Sequence, residues 1–190
     1  MIDARAAARR NAIAWAREVI ADPTSVFLDT ETTGLGPSVE VVDVAVVDLD
    51  GRTLLDRLVM PERPIPLDAS AVHGIYDHHV ANAPRWPQVV GDLNMAVTSR
   101  RVVVYNVGYD RPIIEALSAQ YGAIVPARTW DCAMLAWSDF CGEPGKWGSY
   151  KWHKLDEAAR RIGIPPGGHR ALGDALACRE VVMAMARADG

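Results

Sequence analysis

A chain of 190 residues fits one ordinary domain and falls short of two full ones. With 49% hydrophobic and 23% charged residues it is not a disordered chain, and no apolar run approaches the ~20 residues of a membrane span. A formal net charge of −4 excludes a generally basic nucleic-acid coat, while leaving room for a local basic patch around an acidic centre.

The first stretch, MIDARAAARRNAIAWAREVI, is rich in Arg and Ala in the manner of a transit peptide. Asp3 and Glu18 interrupt it, however, and it has no apolar core or cleavage pattern. An amphipathic helix over 4–20 is expected instead, with Ala8, Ala12, Trp15 and Val19 on one side and Pro23 as its stop. Residues 1–22 thus read as an N-terminal helical extension, either docking a protein partner or bracing the chain from within, and 23–190 as a single domain. A strand follows from Val26 to Asp29, then two strand-like runs, Val39 to Leu49 and Arg52 to Met60, joined by the hairpin signal Asp50-Gly51. Residues 61–84 read as loop, with Pro61, Pro64, Pro66 and Pro84 around "AVHGIYDHH".

Beyond a helix from Pro87 to about Thr98 the rhythm changes to βαβα: strand Arg101 to Tyr105, helix Asp110 to Tyr121, strand Arg128 to Asp131, helix Cys132 to Phe140. Such alternation implies parallel pairing, so three antiparallel strands followed by parallel ones are expected in one mixed five-stranded α/β sheet flanked by helices. Arg100 and Arg101 read as a solvated strand entry. The Gly- and aromatic-rich loop 141–153 precedes helices over 154–162 and 171–188. Within it, Lys146 to Lys154 interleaves lysines with aromatics, which suits either a single-strand-binding surface or an ordinary capping loop. Cys132, Cys141 and Cys178 are an odd set without metal-type C-x-x-C spacing, which argues against a disulfide framework and a structural zinc site and fits a reducing cytoplasm.

Acids recur where a core should be. In "FLDTETTG", Asp29 and Glu31 share a face if the strand persists to its end. Asp174 interrupts the otherwise apolar stripe Ala171, Cys178, Val181, Met185, and Asp110 heads a helix with Ile113, Ile114, Leu117 and Tyr121 inward. Singly, these are turn chemistry, a helix cap and a partly solvated helix residue. Jointly, buried like charges point to divalent metal, and oxygen-only ligands favour Mg2+ or Mn2+ over zinc. His169, after Pro165-Pro166-Gly167-Gly168, can take a proton from an attacking water near neutral pH.

"FLDTETTG", "YNVGYD" and "HRALGD" resemble, in order and spacing, the three motifs of the DnaQ-like DEDDh 3′–5′ exonucleases, over about residues 25–187. The resemblance implies an RNase H-like fold and a phosphodiester hydrolase whose metal-binding acids are Asp29, Glu31, Asp110 and Asp174, with His169 as general base. It implies two ions ~3.5–4 Å apart, one activating water and one stabilising the leaving 3′-oxygen, and nucleoside 5′-monophosphate as product. The sister tyrosine subclass has Tyr four residues before the last Asp, where this chain has Arg170. By the same resemblance Thr32, Leu35, Val72, His73 and Tyr109 would hold the terminal nucleotide, although Leu35 and Val72 could equally pack in the core. Two departures stand out: Tyr105-Asn106-Val107 replaces a histidine-asparagine-alanine run, and the chain ends at its last helix, without the polymerase-tethering extension of a replicative proofreading subunit. A stand-alone cytoplasmic nuclease or accessory trimming factor, without a membrane, acting on 3′ ends of single-stranded or frayed DNA is therefore expected. RNA trimming ranks lower, since families specialised for short oligoribonucleotides carry Met where this chain has Thr32. A non-catalytic nucleic-acid-binding adaptor is the third reading.

Overall fold

Strand β1, Ser25–Thr32, runs three residues further than its apolar start suggests, so Asp29 and Glu31 do lie on one strand. The computed structural model describes residues 4–36 and 38–189; Met1 to Asp3, Pro37, Gly190 and the Trp147 side chain lie outside the described residues. β1 is the centre of a five-stranded sheet ordered β3-β2-β1-β4-β5. On one side it pairs antiparallel with β2, Val41–Asp48, which pairs antiparallel with β3, Thr53–Leu58. On the other it pairs parallel with β4, Arg101–Val104, and β4 with β5, Thr129–Cys132. The β2–β3 turn closes as the Asp48 side chain accepts the Asp50 and Arg52 amides, and Gly51 adopts φ 80, a left-handed conformation that glycine enters without steric cost.

The period of two along β1 divides the core. Val26 and Leu28 pack toward α4, Trp86–Val97, and α5, Val107–Gln120. Phe27 faces the opposite layer, built from α1, Ala4–Ala21, α6, Ala133–Cys141, α7, Leu155–Arg161, and α8, Ala171–Arg187. Asp29 and Glu31 continue the Phe27 face and so point toward α8.

The arginines of α1 hook onto helix ends. Arg9 donates to Phe140 O (3.0 Å) and lies over the Phe140 ring, and Arg17 donates to Ala186 O and Ala188 O (both 3.0 Å). These carbonyls sit at the C-termini of α6 and α8, where the intrahelical ladder leaves acceptors open and a cation is favoured. Trp15 donates to Asp131 (2.9 Å), which also holds Arg101 through two bonds of 2.9 and 3.0 Å. Arg101 is therefore tied to β5, and the expectation of a solvated strand entry does not hold for it.

Two further expectations are corrected. Residues 61–84 contain two short helices, α2, Leu67–His73, and α3, Asp77–Val80, whose Ala69 and Val80 join Val42, Ile65 and Ile75 in a small separate core. They are too short to show a period in sequence. Helix α5 starts at Val107, not Asp110, because the Asn106 carbonyl already accepts the Tyr109 and Asp110 amides; its end at Gln120 leaves Tyr121 exposed rather than inward. Among the described residues no helix is long and apolar enough to cross a membrane.

Candidate active site

The C-terminal end of β1 meets the first turns of α5 and α8, and the expected acids converge there. Ligand oxygens of Asp29, Glu31 and Asp174 lie within 4.8 Å of one another. Asp110 reaches the site from α5, where its Oδ1 accepts the Thr30 hydroxyl (2.8 Å), and its charge is the largest of the neighbouring ones acting on Asp29. All four, with His169, line one cleft of about 520 Å³, within the ~300–1,000 Å³ usual for small-ligand sites.

Burial and mutual repulsion set the electrostatics. Asp29 is pushed well up by burial and then by Asp110, Asp174 and Glu31. Burial, followed by the Asp174 charge, raises Glu31 to about 8. Asp110 rises to about 7 through burial against the opposing Thr30 hydrogen bond, and Asp174 to about 6 through burial, with His169 pulling it back. Among the described residues, Asp174 Oδ1 is buried without a hydrogen-bond partner. An all-oxygen set of crowded carboxylates with an orphaned acceptor fits a hard divalent cation.

His169 sits just before α8, at φ 52, with its ring half-exposed at the cleft and Nε2 3.9 Å from Asp156 Oδ2. The loop before it crosses the start of α8 so closely that a Cβ on Gly167 would collide with Asp174 Oδ1 and the Gly173 backbone, and one on Gly173 with Gly167 O. Glycine at both positions is what lets this loop lie against Asp174.

An adjoining lobe of about 480 Å³ shares Thr30, Glu31, Leu35 and Tyr109 with the cleft, and all five residues expected at the nucleotide line it. Leu35 is 88% and Val72 57% exposed, so neither is core. The Tyr109 hydroxyl donates to Gly34 O (2.8 Å) and also meets the Thr32 hydroxyl, which holds the ring in place. His73 is buried: its Nδ1 accepts the Ile75 amide (3.0 Å), and Nε2 lies 3.2 Å from Thr32 O, so it fixes the wall rather than offering a free nitrogen.

Asn106 and Asp156 line the cleft without having been anticipated there, and Lys154, the last residue of the lysine-aromatic loop, joins them. Lys154 follows His153, whose buried ring lies 3.1 Å from Glu157 and whose carbonyl accepts the Tyr105 hydroxyl (2.8 Å). This anchors the lysine-aromatic loop, leaving Trp152 exposed. Asp43 on β2, paired in register with Glu31, is buried beside the site. Its signal was available: one carboxylate in the apolar run "VVDVAVV".

Residues 26–182 match the model of the RNase T exonuclease family. The chain is 37% identical over 171 residues to the uncharacterised exonuclease CP81 of Escherichia phage 186, across 85% of this chain and 88% of that protein. It is 29% identical to a DNA polymerase III subunit epsilon of Treponema pallidum, across 83% of this chain and 74% of the relative. Among solved structures, exonuclease X in complex with 5′-overhanging duplex DNA matches with TM-score 0.62 and 26% identity, over 87% of this chain and 94% of that one. The nuclease domain of 3′hExo, a DEDDh family member bound to rAMP, matches with TM-score 0.66 and 18% identity over 85% and 90%, a likeness of fold alone. The RNase H-like sheet expected from the motifs is the one these neighbours share. With the fold and three motifs in agreement, the chain belongs to the DnaQ-like exonuclease family and is a 3′–5′ exonuclease.

Proposed function

We propose that this enzyme removes nucleotides from the 3′ ends of single-stranded or frayed DNA, releasing nucleoside 5′-monophosphates, with two divalent ions, Mg2+ or Mn2+, held by Asp29, Glu31, Asp110 and Asp174. The observation that carries this reading is the gathering of three carboxylate oxygens within 4.8 Å, on groups that all resist ionisation without a cation. Bound there, the ions would acidify the attacking water and neutralise charge building on the scissile phosphate. His169, half-exposed at the cleft mouth, takes the proton from that water. Asp156 lies 3.9 Å away as a carboxylate facing the imidazole that gains charge.

In the adjoining lobe, Leu35 and Val72 offer exposed apolar surface to the terminal base. The Tyr109 ring adds a stacking face, worth ~1–3 kcal/mol per base and indifferent to base identity. Thr32 and His73 hold the backbone of that wall. Lys154 supplies a cation for the phosphate path, and the exposed Trp152 continues it. DNA as substrate is supported by the likeness to exonuclease X, solved with duplex DNA, and to the polymerase epsilon subunit. Cys132, Cys141 and Cys178 are free thiols, which suits a reducing cytoplasm.

The test is digestion of matched 5′-labelled DNA and RNA oligonucleotides with Mg2+, Mn2+ or chelator. Metal-dependent shortening of DNA from the 3′ end is expected, with Asp29→Ala and Asp174→Ala inactive but folded. Faster shortening of RNA would replace the substrate assignment, and wild-type rates in either variant would remove the metal assignment.

A further inference from the structure

Asp43 is a buried acid beside the cleft with no part in the proposed chemistry. It is 1% exposed on β2, and its Oδ2 accepts both the Arg170 Nε (2.8 Å) and the Ala171 amide (3.3 Å). Burial raises its pKa, and the Arg170 guanidinium is the strongest influence opposing that rise. Asp43 is stripped of water while Arg170 keeps half of its side chain in solvent, so the acid bears the desolvation cost and the guanidinium offsets part of it. The pair ties the residue after His169 to a fixed acid on β2.

Arg170 is bonded between His169 and the first residue of α8. Helix α8 has no cap from the Arg170 side chain; Asp43 provides the acceptor from the strand beside Glu31. The Arg170 carbonyl in turn accepts the Asp174 amide (2.9 Å). His169, immediately before, has the left-handed φ of 52, which a residue with a Cβ adopts at a cost and holds only when its surroundings impose it. Its ring is half-exposed, with the 3.9 Å approach to Asp156 as its one ion-pair contact among the described residues.

We propose that Arg170 and Asp43 are positioning residues: their ion pair locks the backbone on the C-terminal side of His169 and so aims the imidazole over the acid cluster. The guanidinium is engaged with Asp43 for this purpose rather than waiting for substrate phosphate. Removing Arg170 leaves the Asp43 contact to the Ala171 amide in place, so α8 and Asp174 stay seated while the His169 backbone loses its anchor. This inference rests on His169 acting as the base.

The experiment compares full-length wild type, Arg170→Ala and Arg170→Lys, alone and in a His169→Ala background, in Mg2+-dependent turnover; it also measures amide hydrogen exchange of the metal-free proteins. For Arg170→Ala, kcat is expected to fall ~10- to 100-fold, the usual consequence of an ångström-scale misplacement of a reacting group. KM should stay within about twofold. Arg170→Lys, which keeps the charge and folds without orphaning Asp43, should recover part of the loss. In the His169→Ala background Arg170→Ala should cost less than ~threefold, because the group it aims is gone. Exchange should quicken across residues 167–170 and remain unchanged at Ala171 and in β1 and β2. A raised KM with unchanged kcat would make Arg170 a phosphate contact and overturn the proposal; so would full additivity with His169→Ala, or unaltered exchange. Absence of turnover in wild type would instead sink the reading of the catalytic site, while the exchange measurement would still report on the clamp.

Discussion

Neutralising Asp110 should stabilise the metal-free protein and abolish its activity. Asp110 is 4% exposed, and its pKa rises from 3.8 to about 7. For an acid raised in this direction, the stability it contributes is fully present below its unfolded value near 3.8 and is lost as the pH climbs through about 7. At pH 8 the folded state therefore carries up to ~4 kcal/mol of ionisation cost at this group. Because Asp29 and Asp174 relax as soon as one neighbour loses its charge, a gain of about 2 kcal/mol is expected from Asp110→Asn. The amide oxygen keeps the bond from the Thr30 hydroxyl, so little is given up. In a domain of this size the gain amounts to a rise in Tm of ~4–8 °C. Thermal unfolding followed by circular dichroism in chelator should show it at pH 8 and show it falling below about 1 kcal/mol at pH 5. Saturating Mg2+ should reverse the order, raising the Tm of wild type above that of the variant. A variant less stable than wild type in chelator at pH 8, or a gap unaffected by pH, would refute the account of the cluster as repulsion held for a cation.

Other outcomes follow from the same geometry. His169→Ala should lower kcat ~10²- to 10⁴-fold while leaving Mn2+ binding, measured by calorimetry, unchanged. Gly167→Ala should abolish turnover and lower Tm, since its Cβ would be driven into Asp174 and the Gly173 backbone; a fully active variant would show that the loop has another way to lie. Deleting residues 1–22 removes Ile13, Ala16 and Val19 from the core and the Arg9 and Arg17 hooks from α6 and α8. At ~1.5–3 kcal/mol for each of the larger buried side chains, that loss should cost the truncated chain its cooperative melting transition. An unchanged Tm with a smaller oligomer would make α1 a docking element instead.

Much of this enzyme was legible along the chain. The short apolar runs of β1 and β2 and the Asp50-Gly51 turn specify an antiparallel start, and the βαβα rhythm specifies parallel strands after it, because these are local patterns of composition and turn chemistry. The acids Asp29, Glu31, Asp110 and Asp174 stood out because each breaks an apolar pattern, a conflict visible without any contact being known. What tertiary structure alone decided is how the conflicts resolve. That Arg170 and Asp43 meet across 127 positions, that Arg101 closes on Asp131 instead of facing solvent, and that Gly167 must yield space to Asp174 are consequences of packing distant segments. Long-range pairing depends on which faces come together, whereas a sequence pattern records only which face each element keeps for itself.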